Sequence, residues 1–90
     1  MFGYFRRARE SREDAALNVE LEQAYNSARS MLPQSDLMRL DKHLLELRDA
    51  GFADDAIRSM NSRDATHILK RAAIESIEGF ITIEQRFPEA

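Results

Sequence analysis

The sequence predicts an all-α protein, a compact bundle of three longer helices plus one short helix. Three observations predict this fold class. Apolar residues recur every three or four positions along three long stretches, which is the period of an amphipathic helix. Pro33 and Gly51 interrupt that period where helices are expected to end. The 90 residues are 43% hydrophobic and 32% charged, which is typical of one small globular domain with a solvated surface.

The first helix is predicted to begin at Ser11 and to end near Met31. Ser11 is a favourable cap, and Glu13 and Asp14 suit the positive end of a helix dipole. Apolar residues at helical spacing then include Leu17, Leu21, Ala24, Tyr25, Ala28 and Met31. Pro33 ends the helix because the residue before a proline is disfavoured in the helical region.

A helix–glycine–helix corner is predicted over residues 35–60, and the rest of the bundle packs against it. Ser35 is expected to cap its first helix. One apolar stripe of this helix consists of Leu37, Leu40, Leu44 and Leu47, and Met38 and Leu45 form a narrower patch beside it. Gly51 is expected to close the helix in the left-handed conformation, with Phe52 folded back on the last turn. A short third helix then opens at Ala53 or Asp54.

The last helix is predicted to begin at a Ser62 cap and to continue through Gly79 to about Glu84. The apolar period carries through Gly79, and one glycine costs a helix only about 1 kcal/mol. The chain therefore divides into a basic aromatic arm (1–12), a single helical domain (13–85) and a loose tail (86–90).

Composition narrows the chemistry and the cellular setting. The chain has no cysteine, so it forms no disulfide or thiolate site, and a reducing compartment is expected. The N-terminus has no apolar run of signal-peptide length, and no stretch approaches the roughly 20 apolar residues that span a bilayer. A cytoplasmic protein without a transmembrane segment is the resulting expectation.

The last helix carries more apolar surface than one packed face requires. One face must pack on the body, and the surplus consists of Ile74, Ile77, Phe80 and Ile81. Apolar area left in contact with water usually marks an interface, so these four residues are predicted to bind a partner, in the simplest case a second copy of the chain. The alternative is that the small body wraps this helix on more than one side.

The N-terminal arm and the corner together suggest a second class of function. Residues 1–12 contain Arg6, Arg7, Arg9 and Arg12 against a single glutamate, a local charge of +3 on a chain of −3. Such an arm can contact nucleic acid or another anionic surface, and the corner resembles a helix-turn-helix, which would read DNA. Asp54 and Asp55 at the start of the second helix weigh against that reading, because they would face phosphates.

No enzyme motif occurs in the sequence. The three glycines are scattered, and neither a phosphate loop nor a nucleophile elbow is present. His43 and His67 lie on different predicted helices, which is too few ligands for a metal centre. The sequence thus predicts no enzyme, no cofactor and no metal. It predicts a protein-interaction or regulatory module that dimerises through the last helix, with a small nucleic-acid-binding regulator as the alternative.

Overall fold

The computed structural model describes the backbone of residues 2–86 and the side chains of residues 12–84. Four helices account for nearly all of this part of the chain: α1 (Phe2–Met31), α2 (Gln34–Ala53), α3 (Asp55–Arg58) and α4 (Ser62–Arg86). Three are long and one is a single turn. The predicted all-α bundle is therefore confirmed.

α4 is the central helix of the bundle and packs against both α1 and α2. The contacts fix the directions of the helices. Tyr25 Oη on α1 donates a hydrogen bond to Asp41 Oδ1 on α2 at 2.5 Å, and His43 Nε2 on α2 lies 3.3 Å from Ser76 Oγ on α4. His67 near the start of α4 contacts Asp14 on α1. α1 and α2 are thus an antiparallel hairpin, and α4 returns alongside, parallel to α1.

The hydrophobic core lies where the three long helices meet. Leu40 and Ile77 are its two largest fully buried side chains, with no measurable exposure. Ala28 of α1 and Leu32, just after the end of α1, complete the buried cluster. The residues packed around it are Leu21, Ala24, Tyr25, Leu37, Leu44, Phe80 and Ile81. The leucine stripe predicted on α2 and the apolar face predicted on α1 therefore both pack against α4.

α1 begins earlier than the sequence indicated. The helix starts at Phe2 instead of Ser11, so the backbone of the basic arm is a continuation of α1. Helical propensity explains the difference, since no proline or medial glycine interrupts Tyr4 to Met31. The predicted end at Met31, ahead of Pro33, is confirmed.

Gly51 has a different role from the one predicted. It has no positive φ and does not terminate α2, which continues to Ala53. Gly51 is buried, and a Cβ atom at this position would lie 2.3 Å from Leu69 Cδ2 of α4. The glycine therefore permits a close approach of α2 and α4. Phe52 does not fold back onto the helix and is 65% exposed.

Neither Ser35 nor Ser62 lies at the N-cap position predicted for it. Pro33, not Ser35, precedes α2, and it makes no side-chain cap. Asn61, not Ser62, caps α4: its Oδ1 accepts from Asp64 N at 2.8 Å and its Nδ2 donates to Asp64 Oδ2 at 2.9 Å. Asp54 caps α3 by accepting from Ile57 N, so the predicted opening of that helix is confirmed.

α4 continues through Gly79 and ends at Arg86, so the predicted continuation past the glycine is confirmed. Gly79 lies on an exposed face, and a Cβ atom there would meet nothing within 4 Å. Of the predicted tail, Arg86 is helical and residues 87–90 lie outside the described residues.

Candidate functional site

An apolar groove lies at the corner between α2 and α4 and has a volume of about 520 Å³. We call it the corner groove. It is lined by Leu21 of α1, by Leu44, Leu47, Arg48, Gly51 and Phe52 of α2, by Ile57, Arg58 and Met60 of the α3 segment, and by Ser62, Ala65, Thr66, Leu69, Lys70 and Ala73 of α4. Its lining is therefore mostly aliphatic and drawn from all four helices.

The corner groove lies where α2, α3 and the first half of α4 meet, and α1 contributes only Leu21 to its lining. Among the described residues, α1 and α2 make little direct contact with each other, and both pack on α4. Toward the opposite end of the bundle, Tyr25 bonds Asp41, and the buried cluster fills the space where the three long helices meet. α4 forms the floor, and α3, fixed by its Asp54 cap, closes one end.

The corner groove is open to solvent and exposes large apolar side chains. Phe52 is 65% exposed and Met60 is 39% exposed. Both belong to the groove lining. Isolated apolar residues on a surface are ordinary, but two large ones beside an apolar cavity make a continuous patch. The patch is available to bind something apolar.

The rim of the corner groove is positively charged. Three of its lining residues are cations, Arg48, Arg58 and Lys70, and none of the lining residues is acidic. Each cation comes from a different helical segment. The carboxylate of Asp49 lies 3.8 Å from Arg48, and that of Asp55 lies 4.0 Å from Arg58. Lys70 donates a hydrogen bond to Asn18 Oδ1. On a chain with net charge −3, this rim favours an anionic or acidic ligand.

The residues predicted to bind a partner on the last helix lie largely inside the chain. Ile74 and Ile77 are buried, and Phe80 and Ile81 are partly buried against the core cluster. The expectation of a surplus face in water is wrong for Ile74 and Ile77, because both are buried where α4 packs against its neighbours, as in the alternative of a helix wrapped on more than one side. For Phe80 and Ile81, binding of a partner stays a prediction.

Of the four arginines predicted to contact nucleic acid, only Arg12 lies among the described side chains, and it is exposed. Arg6, Arg7 and Arg9 lie outside them. The corner provides no recognition helix, since α3 is a four-residue turn that opens with Asp55 behind the Asp54 cap. Major-groove reading requires a helix that presents several side chains to base edges. The four-residue α3 therefore does not support DNA reading through the corner, and binding of nucleic acid by the arginine arm stays a prediction.

A polar cluster joins the first turn of α4 to α1. His67 hydrogen-bonds Asp14 Oδ1, and Arg63 lies 3.2 Å from Glu13 Oε2 and 3.6 Å from Asp14 Oδ1. The hydrogen bond from His67 holds the pKa of Asp14 below its usual 3.8, and the charge of Arg63 acts in the same direction against partial burial. The cluster fixes the parallel register of α1 and α4.

This cluster predicts acid-sensitive stability. A carboxylate with a lowered pKa stabilises the fold at pH values above its unfolded pKa, and that stabilisation disappears as the pH falls through the folded pKa. Asp14→Asn should therefore lower Tm at neutral pH, and the difference from wild type should be smaller at an acidic pH below 3.8, where the folded carboxylate takes up its proton. His67→Ala should reproduce part of the neutral-pH loss, since Arg63 stays beside Asp14, and the double variant should lose less than the sum of the two single changes. A Tm difference for Asp14→Asn that is the same at both pH values would contradict this role.

Within residues 12–84, no group of three or more histidine or acidic side chains is arranged to hold a metal ion. Among the described helices, none is long and apolar enough to cross a membrane. Comparisons with protein-family models, with curated proteins and with solved structures find no match to this chain.

The corner groove is not predicted from the sequence. Leu44, Leu47 and Leu69 have the spacing of core residues, and periodicity does not distinguish a filled core from an open one. The signal that points to the groove is the cluster of large apolar residues, Phe52, Ile57 and Met60, within a short connecting segment.

Proposed function

We propose that the chain is a non-enzymatic protein-interaction module and that the corner groove is its binding surface. The observation that carries this proposal is the open apolar groove, with Phe52 and Met60 exposed at its edge. Contiguous exposed apolar area on a small domain commonly marks an interaction site. The proposed partner surface is thus the corner groove, whereas the sequence predicts the last helix.

The partner that fits this groove is an amphipathic helix. The groove is bordered by α2, α3 and α4 on an open side of the bundle, so an added helix would pack on apolar surface from all three. Helix-in-groove recognition uses apolar anchors at i, i+3, i+4 and i+7. Leu44, Leu47 and Leu69 provide complementary aliphatic surface for such anchors.

The rim specifies the charge of that helix. Arg48, Arg58 and Lys70 belong to three different helical segments and border one groove. Cations distributed in this way suit several carboxylates spread along a helix better than the single headgroup of a small amphiphile. Complementary charge at a rim mainly increases association rate and selectivity, while the apolar anchors supply most of the affinity. The expected partner segment has an apolar stripe with Asp or Glu beside it.

A displayed library of helical peptides tests the proposal. The library keeps one apolar stripe constant and randomises the positions beside it, and it is selected against the full chain. We expect enrichment of acidic residues at the randomised positions. Affinity of the selected peptide, measured by fluorescence anisotropy, should fall at least tenfold in Met60→Glu, because a carboxylate then lies in the apolar lining and repels the acidic flanks.

The matched control is Ile68→Glu, which places the same charge on an exposed isoleucine of α4 that does not line the groove. It should bind the peptide as the wild type does. The absence of enrichment, a preference for basic flanks, or equal loss of affinity in both variants would overturn the assignment of the groove. Circular dichroism of each variant establishes that the helical fold is intact.

A further inference from the structure

A second apolar feature lies on the outer face of α2 and is separate from the floor of the corner groove. Met38, Leu45 and Phe52 are 63%, 54% and 65% exposed. Successive members are seven residues apart, so each lies two turns from the next on nearly the same face, with a drift of about 20°. These three residues form a line about 21 Å long, at 1.5 Å per residue, which we call the α2 ridge.

Charged residues follow both sides of the α2 ridge in a regular pattern. At about 100° per residue, Asp41 and Arg48 lie on one flank, about 40–60° from the ridge, and Lys42 and Asp49 lie on the other. The contact of Asp41 with Tyr25 places the first flank on the side of α1. Each flank thus carries one anion and one cation, two turns apart.

This pattern is complementary to itself. If a second copy lies antiparallel on the ridge with its two-fold axis at Leu45, then Met38 meets Phe52 of the partner subunit, and the two Leu45 side chains meet each other. Asp41 then faces Arg48 of the partner subunit, and Lys42 faces Asp49 of the partner subunit. Every apolar residue of the ridge has an apolar counterpart, and each of the four flanking charges has an opposite one.

We propose that the chain self-associates as an antiparallel dimer through the α2 ridge. A parallel pair would also bring opposite charges together, as Asp41 beside Lys42 of the partner subunit. The antiparallel pair is favoured because it opposes the two helix dipoles and matches methionine with an aromatic ring. Three apolar side chains form a small interface, so the dimer is weak and depends on concentration.

Charge reversal with complementation tests the ridge. Lys42→Glu and Asp49→Lys are made separately, and neither residue lines the corner groove or belongs to the core. Mass is measured by sedimentation equilibrium up to about 1 mM protein, a concentration that also detects weak complexes. Wild type should show monomer and dimer, and each variant alone should dimerise at least tenfold more weakly because like charges then face each other.

An equimolar mixture of the two variants should recover the wild-type dimer. In an antiparallel pair, the new carboxylate at position 42 faces the new ammonium at position 49, and the unaltered Asp49 of one chain faces Lys42 of the other. A parallel pair gives no such recovery, because each mixed dimer retains two repulsive contacts. Dimerisation that is not recovered on mixing, or a wild type that stays monomeric at about 1 mM, overturns the proposal.

Leu45→Glu provides an independent variant that should abolish the dimer, since it places two carboxylates at the two-fold axis. The α2 ridge and its flank share Phe52 and Arg48 with the lining of the corner groove, so a peptide in the groove and a second copy on the ridge would compete. The tests stay separate because the weak dimer dissociates at low concentration. At protein concentrations where the chain is monomeric, Lys42→Glu and Asp49→Lys should leave binding of the groove peptide unchanged, and without peptide Met60→Glu should leave self-association unchanged. Failure of one proposal therefore leaves the other intact.

Discussion

Ile77→Glu should unfold the protein. Ile77 is fully buried at the centre of the cluster formed with Ala28, Leu32 and Leu40. Truncation of a buried isoleucine alone costs about 2–5 kcal/mol, and an unpaired carboxylate in an apolar core costs several kcal/mol more. The sum is comparable to the entire stability of a small domain, about 5–15 kcal/mol. Circular dichroism should show loss of most helical signal at 25 °C, or a Tm lowered by tens of degrees.

The control for this prediction is Ile83→Glu in the same helix. Ile83 is 62% exposed, so the substitution should change the free energy of unfolding by no more than about 0.5 kcal/mol. The comparison also separates two accounts of the last helix. If Ile77 belonged to a dimer interface on the surface, Ile77→Glu would give a folded, helical monomer with Tm near that of the wild type, and this result would contradict the structure.

Gly51→Val should destabilise the fold by about 1–2 kcal/mol, the lower part of the overpacking range, because the atom it meets is the end of the Leu69 side chain beside the open groove. Even the first added carbon would lie 2.3 Å from Leu69 Cδ2, and Leu69 Cγ and Cδ1 are within 3.4 and 3.5 Å. The Leu69 side chain must therefore move, or α2 and α4 must separate. Overpacking of this kind typically costs about 1–3 kcal/mol, and the two valine methyls enlarge the clash. Urea unfolding measures the change.

Two further variants test the cause of that loss. Gly79→Val introduces the same side chain where nothing lies within 4 Å, and it should be neutral or slightly stabilising. In a Leu69→Ala background the obstructing side chain is absent, so Gly51→Val should cost at least about 1 kcal/mol less than in the wild type. An equal cost in both backgrounds would exclude contact with Leu69 as the reason for glycine at position 51.

The helices themselves could be predicted from the sequence because their signals are local. Pro33 fixes the end of α1, and the apolar period carries α4 past Gly79. The caps were less certain, since Asn61 and Ser62 are both good capping residues and only the hydrogen bonds to Asp64 identify Asn61. Local chemistry thus determines which elements form, with errors of a residue or more at their ends.

The packing of the helices could not be predicted with the same success because it depends on contacts distant in sequence. A glycine at a helix end and a glycine at a helix crossing look alike in sequence. Only the contact of Gly51 with Leu69 in the folded structure shows that this glycine lies at a crossing. The broad apolar surface of α4 fits either a dimer interface or a helix between two neighbours. Its position between α1 and α2 decides this for Ile74 and Ile77, which are buried.

The candidate site was missed for the same reason. Ile57 and Met60 follow the predicted opening of the short third helix, and Met38 and Leu45 form the narrow patch on α2. Whether such residues fill a core or border an opening depends on how α2, α3 and α4 pack against one another. Residue spacing along one helix does not contain that arrangement.

The central claim is that partners bind at the corner groove and not on the last helix. Methyl NMR of the chain, titrated with the selected acidic amphipathic peptide, tests this claim most directly. The account predicts that signals of Ile57, Met60 and Leu69 shift with one common Kd, whereas those of Ile81 and Ile83 stay in place. Shifts centred on Ile81 and Ile83, with the groove methyls unchanged, would contradict it.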